Sequence, residues 1–212
     1  MPKPFKGTLK YDPHSLKKRP NLAVHIGHIA HIWTMIDVLH GEMLAEMLRS
    51  ESRFTTAVYL RLRGARPHAL DAVAEEVLTE NLLKEFRKIM ERCRKVESSR
   101  NDVVHGLWGI DESDDKVLIW IDPAAHVKWF SATVTLDVAT ASAANTASSD
   151  DAWKRMEDAL DKHLGSTLSY TEADFIEIEN RISEIFSLVY RFSEKLSQQL
   201  GRQYPSNTTE KK

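Results

Sequence analysis

Between Leu82 and Val96 the apolar side chains fall at Leu82, Leu83, Phe86, Ile89, Met90, Cys93 and Val96. Steps of three and four residues put all of them on one side of an α-helix. The remaining surface carries Lys84, Lys88 and Lys95, with Arg87 and Arg94 beside them. An apolar stripe of this length must be buried, and other helices are the natural cover for it. Leu22 to Leu48 repeats the spacing with Ile26, Ile29, Trp33, Ile36 and Met43, and His40 stands where an apolar residue is due. Asn21 is the expected cap of that helix. A third long helix begins at Thr171, where Asp174, three residues on, comes close to a capping box.

Shorter elements fill the gaps. Arg53 to Leu62 reads as a helix, with a short strand as the alternative, and Gly64 ends it. Pro67 sits near the start of the next helix, where proline is tolerated. "AWKRMEDALDKHL" gives a further helix. Two runs break the helical period: "KVLIWID" and "VKWFSATVTLDV" are rich in β-branched and aromatic residues. With Asp122-Pro123 and two alanines as the connection, they predict an antiparallel pair over about 116–138. "ATASAANTASSDD", about 139–151, reads as a linker. Residues 1–20 contain Pro2, Pro4, Pro13 and Pro20 and are basic, which predicts an extended arm. Residues 201–212 predict a disordered tail. The expected fold is mainly α: one helical domain, 21–200, with a two-stranded antiparallel insertion before the C-terminal helices.

Composition narrows the function classes. A net charge of -2 gives no global attraction to nucleic acid or membrane, so any anion must be held by local clustering of charge. Cys93 is the single cysteine, which excludes a disulfide framework and a cysteine-built zinc site within one chain. The first twenty residues lack a signal-peptide core, and no run approaches the roughly twenty apolar residues of a membrane helix. The expectation is a cytoplasmic protein with no membrane span.

The chemistry concentrates in "SSRNDVVHGLW", Ser98 to Trp108. Ser98 or Ser99 reads as the cap of a new helix, with Arg100, Asn101 and Asp102 in its first turn. Free N–H groups and the positive end of a helix dipole make such a start an anion site. Asn101 and His105 are four apart and share a face, so the amide can fix the imidazole in one orientation. Arg100 offers a planar fork that suits phosphate oxygens. His105 exchanges a proton near neutrality, with an unperturbed pKa of about 6.5. Asp102 is placed to tune Arg100. These roles describe metal-independent cleavage of RNA: His105 moves a proton at the 2′-OH or the leaving oxygen, and Arg100 stabilises the pentacoordinate phosphate. No cofactor is expected.

Arg100-Asn101-Asp102-Val103-Val104-His105 resembles the Arg-x4-6-His motif of HEPN ribonucleases, with the polar residue that often follows the arginine. The resemblance covers roughly Leu22 to Trp108. It extends to the first helix, "IGHIAHIWTMIDVLHGEML", with Gly27, Trp33 and Asp37 at helical spacing, which is similar to uncharacterised bacterial HEPN-like proteins. It implies a helical domain that dimerises, two copies of the motif facing each other across a cleft. It implies endoribonuclease activity in a toxin–antitoxin, phage-defence or RNA-processing role, while some members are inactive scaffolds. A cognate antitoxin is an open partner. In toxins paired with a nucleotidyltransferase antitoxin a tyrosine can stand two residues after the histidine, and here Leu107 stands there, followed by Trp108. The Arg-to-His spacing also occurs at Arg19–His25, Arg61–His68 and Arg63–His68, each interrupted by proline, glycine or both. Only the Arg100 hit has the following asparagine and a long helix before it.

Other residues have two readings each. Trp108 either stacks on a base or packs in the core beneath the site. Lys84, Lys88 and Lys95 either guide RNA through its phosphates or form a solvated face. Asp37 either supports Arg100 and His105 or is an exposed or capping acid. His25, His28 and His31 spread too widely round a helix for one metal ion and read as a solvated or dimer-facing row. Cys93 reads as a buried, inert thiol. The alternatives to a nuclease are a non-catalytic HEPN scaffold that binds RNA or nucleotide, and a purely structural helical dimerisation protein.

Overall fold

Three long helices dominate the computed structural model: α2 (Pro20–Leu48), α5 (Glu80–His105) and α8 (Glu172–Gln203). It describes residues 2–5, 7, 9–141 and 146–203. The other helices are α1 (Ser15–Lys18), α3 (Ser52–Arg61), α4 (Arg66–Val77), α6 (Pro123–Ala141) and α7 (Thr146–Gly165). The strands are β1 (Lys3–Pro4), β2 (Leu9–Tyr11), β3 (Leu107–Asp111), β4 (Val117–Ile121) and β5 (Leu168–Thr171). The fold is mainly α with a small antiparallel sheet, as the helical spacing predicts.

Several expected boundaries hold for the physical reasons given. The Thr171 N–H donates to Asp174 Oδ2 at 2.9 Å and its hydroxyl to the same oxygen at 2.6 Å, so the acid at the third helical position reaches back to the cap. The expected helix over Arg53 to Leu62 is α3, Ser52–Arg61, with Leu62 as its C-cap. The expected Asn21 cap is overturned: α2 starts at Pro20, where a missing N–H costs nothing, and Asn21 lies inside its first turn. Gly41 lies inside α2 at a close crossing: a Cβ there would meet Thr56 of α3 at 2.8 Å.

Other expectations are overturned. "VKWFSATVTLDV" is not a strand; it lies within α6. Asp122 Oδ1 accepts the Ala124 N–H at 2.8 Å, and Pro123 takes the first helical position, so a strong helix start overrides a weak β preference. The strand pair over about 116–138 therefore reduces to β4, whose partners are β3 and β5. The sheet order is β1-β5-β4-β3-β2, so the two edge strands come from the expected arm. Pro4 is tolerated because β1 is an edge. Of the expected linker, 139–141 end α6 and 146–151 begin α7, while 142–145 lie outside the described residues. Of the expected tail, 201–203 continue α8 and 204–212 lie outside the described residues.

Contacts divide the chain into two compact units, Met1–His28 with Ser99–Glu179, and Ile29–Ser98 with Asn180–Lys212. The first is built on the sheet. Leu118, Ile119 and Ile121 are fully buried, and Trp108, Tyr170 and Phe175 form an aromatic cluster with ring centroids 5.3 to 5.7 Å apart. The second is a helical bundle around Ile36, Met43, Leu70, Ile182 and Val189, with Phe86 and Phe192 centroids 6.1 Å apart. By length and composition alone α2 would pass for a membrane span, where none is expected above. In the fold its Ile29, Trp33, Ile36 and Met43 are buried by protein.

Candidate functional site

Arg100, Asn101, Asp102 and His105 lie in the last two turns of α5, not in the first turn of a new helix. The expected serine cap is absent for a physical reason. Val103 is fully buried seven residues after Val96, so the apolar stripe carries the helix straight through Ser98 and Ser99. The stop is Gly106. Its N–H closes the last turn on the Asp102 carbonyl at 2.9 Å, and the Trp120 indole N–H donates to the same oxygen at 2.6 Å. A Cβ at residue 106 would lie 1.9 Å from that indole nitrogen, so only glycine fits. Trp120 thus adds a second donor to a carbonyl at the helix end and ties the last turn of α5 to β4.

This reverses the local electrostatics. A helix C-terminus presents carbonyls and the negative end of the dipole. The cradle of free N–H groups expected at Arg100 does not exist, and any anion here must be held by side chains.

Those side chains do converge. Arg100 Nη1 donates to Asn101 Oδ1 at 2.7 Å and lies 3.4 Å from His105 Nε2. Arginine has only donors, so in a hydrogen bond between them Nε2 can only accept. The amide does not hold the imidazole directly; the guanidinium stands between them. Arg100 and Asn101 are half-buried and His105 is exposed. Partial burial, and then the neighbouring carboxylate of Asp122, push the Asp102 carboxyl above its usual range. Burial, followed by Asp102, pushes the Tyr170 hydroxyl up to about 12. Asp102 is therefore close enough to sense both Asp122 and Tyr170.

The remaining candidates sit elsewhere or have other partners. Asp37 accepts from Arg66 Nη1 at 2.8 Å in the second unit. Lys84 pairs with Glu80 at 2.6 Å and Lys95 with Glu91 at 2.7 Å, one helical turn apart in each case; Lys88 has no such partner among the described residues. Trp108 is buried against Tyr170 and Phe175, which is the packing alternative, and it offers no face to a base. His25 and His28 both bond Glu179 Oε1, at 2.9 and 3.1 Å, so an acid on α8 gathers that part of the row. Cys93 is buried, and desolvation, helped by Glu97, holds its thiol up at about 12. Among the described residues no group of three His, Cys, Asp or Glu side chains could hold a metal ion.

Two residues of the site escape the sequence reasoning: Gly106 and Trp120. Gly106 had a legible signal, since a glycine directly after a long periodic run is a helix stop. Trp120 had none, because its partner is 18 residues away and reached only through the sheet. No family model, curated protein or solved structure matches this chain.

Proposed function

We propose that this chain is an endoribonuclease of HEPN type, in which Arg100, Asn101 and His105 carry the chemistry. The observation that supports this most is the meeting of a guanidinium, an amide and an imidazole at one half-exposed helix end, with Arg100 Nη1 reaching both of its neighbours. His105 Nε2 acts as the general base and takes the proton from a 2′-OH as that oxygen attacks the adjacent phosphorus. Arg100 turns its fork to the charge that gathers on the phosphate oxygens, and Asn101 holds it between encounters. A second histidine is needed to protonate the leaving 5′-oxygen, and the facing copy in a homodimer supplies it. The biological setting is a toxin–antitoxin, phage-defence or RNA-processing role in the cytoplasm, with a cognate antitoxin where the setting is the first.

The test is RNA cleavage by the purified protein in EDTA. Cleavage that persists with chelator and vanishes in His105→Ala and in Arg100→Ala, both folded, supports the reading. A homodimer that leaves single-stranded and structured RNA intact, with or without metals, overturns it. A second reading, a non-catalytic HEPN scaffold, is favoured by the helix C-terminus itself, which lacks the N–H cradle for a phosphate. It predicts RNA binding that Arg100→Ala abolishes, without cleavage.

A further inference from the structure

α6 and α7 pack along each other within the first unit. Between the first turns of α6 and the last turns of α7 lies a cleft of about 460 Å³. Arg155, Asp158 and Lys162 line it from one face of α7, and Lys128 reaches it from α6. None of the three cations has a carboxylate within ion-pair distance among the described residues, although two aspartates line the same cleft. Lys84, Arg92, Lys95 and Lys195, by contrast, are each paired with a glutamate, while Lys88 shares the unpaired state of the cleft cations among the described residues. Asp122 has one oxygen committed to capping α6, and Arg155 Nε is anchored on the Asp151 carbonyl at 3.1 Å, which steadies its fork.

We propose that this cleft binds a phosphate monoester of nucleotide size. The three cations outnumber the two aspartates and leave the cleft net positive, and a guanidinium fork suits phosphate oxygens. The N-terminal end of α6, a helix of 19 residues, adds the positive end of its dipole. Ala124, Ala125 and Ala159 leave a shallow apolar floor for a ring, and Asp158 and the second oxygen of Asp122 accept from sugar hydroxyls. The volume lies within the range of roughly 300–1,000 Å³ usual for small-ligand sites. The monoester belongs either to a free nucleotide or to the 5′ end of an RNA fragment.

The experiment is titration calorimetry on the full chain, with backbone NMR shifts to place the ligand. The probes are adenosine 5′-monophosphate, adenosine, inorganic phosphate and a 5′-phosphorylated trinucleotide. Saturable binding of a phosphorylated probe is expected, with shifts at the start of α6 and the end of α7. Adenosine should bind at least about tenfold more weakly, as should the phosphorylated probe to Lys162→Glu or, on the other helix, to Lys128→Ala. Binding of the monophosphate assigns the site to free nucleotides, and binding of the trinucleotide alone assigns it to RNA ends. Arg100→Ala should leave this binding unchanged, so it stands or falls apart from the nuclease reading. Failure of both phosphorylated probes to saturate at millimolar concentration overturns the proposal, as does binding indifferent to both variants.

Discussion

The chain holds two polar clusters of similar make-up, and burial separates them. At the end of α5, Arg100, Asn101 and His105 meet where solvent reaches the imidazole. In the helical bundle, Asp37, Arg66, His40 and Tyr59 meet with little water. Arg66 Nη1 holds Asp37 at 2.8 Å, Arg66 Nη2 caps the Leu60 carbonyl, and His40 sits edge-on to Tyr59 at 6.4 Å. Burial pushes the Tyr59 hydroxyl up and the His40 imidazole down to about 4. A histidine that cannot ionise near neutrality serves packing, whereas the exposed imidazole of His105 is open to a substrate. An Arg, a His and a carboxylate or amide side by side therefore do not define a site; access to solvent does.

The largest effect that tests this contrast is on RNA cleavage. His105→Ala is expected to lower the rate by about 10²–10⁴-fold, and Arg100→Ala by about 10²–10³-fold, each with an unchanged melting temperature. Rate and thermal melting measured on the same preparations decide it. If both variants melt early and RNA is never cut, the exposed cluster is a structural cap and the contrast collapses.

The next effect belongs to the buried cluster and to acid. His40 binds its proton in the unfolded chain near pH 6.5 and in the folded one only near pH 4. The unfolded state therefore holds more protons between those values, and stability falls as pH drops from about 6.5 to about 4. The shift converts to about 3 kcal/mol at full extent. Urea unfolding at pH 7 and pH 4.5 should show the loss, and His40→Leu should flatten it. An unaltered slope in that variant would move the acid sensitivity to other groups, such as His163, whose pKa is lowered by burial and then by His126.

Smaller again is the ion pair. Arg66→Ala is expected to cost about 2 kcal/mol, because both partners are largely removed from water and the Leu60 carbonyl loses a donor. Cleavage per folded molecule should be unaffected. Asp37→Asn sharpens the comparison further, since the sequence also casts Asp37 as a support for Arg100 and His105. A folded Asp37→Asn protein that no longer cuts RNA would make the buried cluster part of the chemistry.

Much of this was legible where a signal is local and strong. The stripe from Leu82 to Val96 gives α5, and Thr171 with Asp174 gives the start of α8. The site was legible as residues but not as geometry. Ser98 and Ser99 look like a cap only if Val103 is ignored, and with it the stripe runs on to Gly106. Asp122-Pro123 was a true helix start, and the β-branched run after it concealed that. The sheet was least legible. β1 pairs with β5 and β2 with β3 across some hundred residues or more, and no local pattern encodes such distant pairing.

The smallest predicted effect lies at the exposed cluster and concerns how it is held. Trp120→Phe keeps an aromatic ring on β4 and removes one donor from the Asp102 carbonyl, which retains the Gly106 N–H. The expected cost is about 1 kcal/mol, the usual net worth of one hydrogen bond. Cleavage should fall further than that loss explains, because the turn carrying His105 is positioned by this contact. Gly106→Ala attacks the same contact from the other side, by driving a methyl group into the indole. Gly106→Ala should cost more stability than Trp120→Phe, about 1–3 kcal/mol, because the methyl group overlaps the indole and the Asp102 carbonyl, and both variants should lower the rate per folded molecule. If both lower stability and leave the rate per folded molecule intact, Trp120 is only a cap on α5, and the open cluster needs no support from the sheet to react.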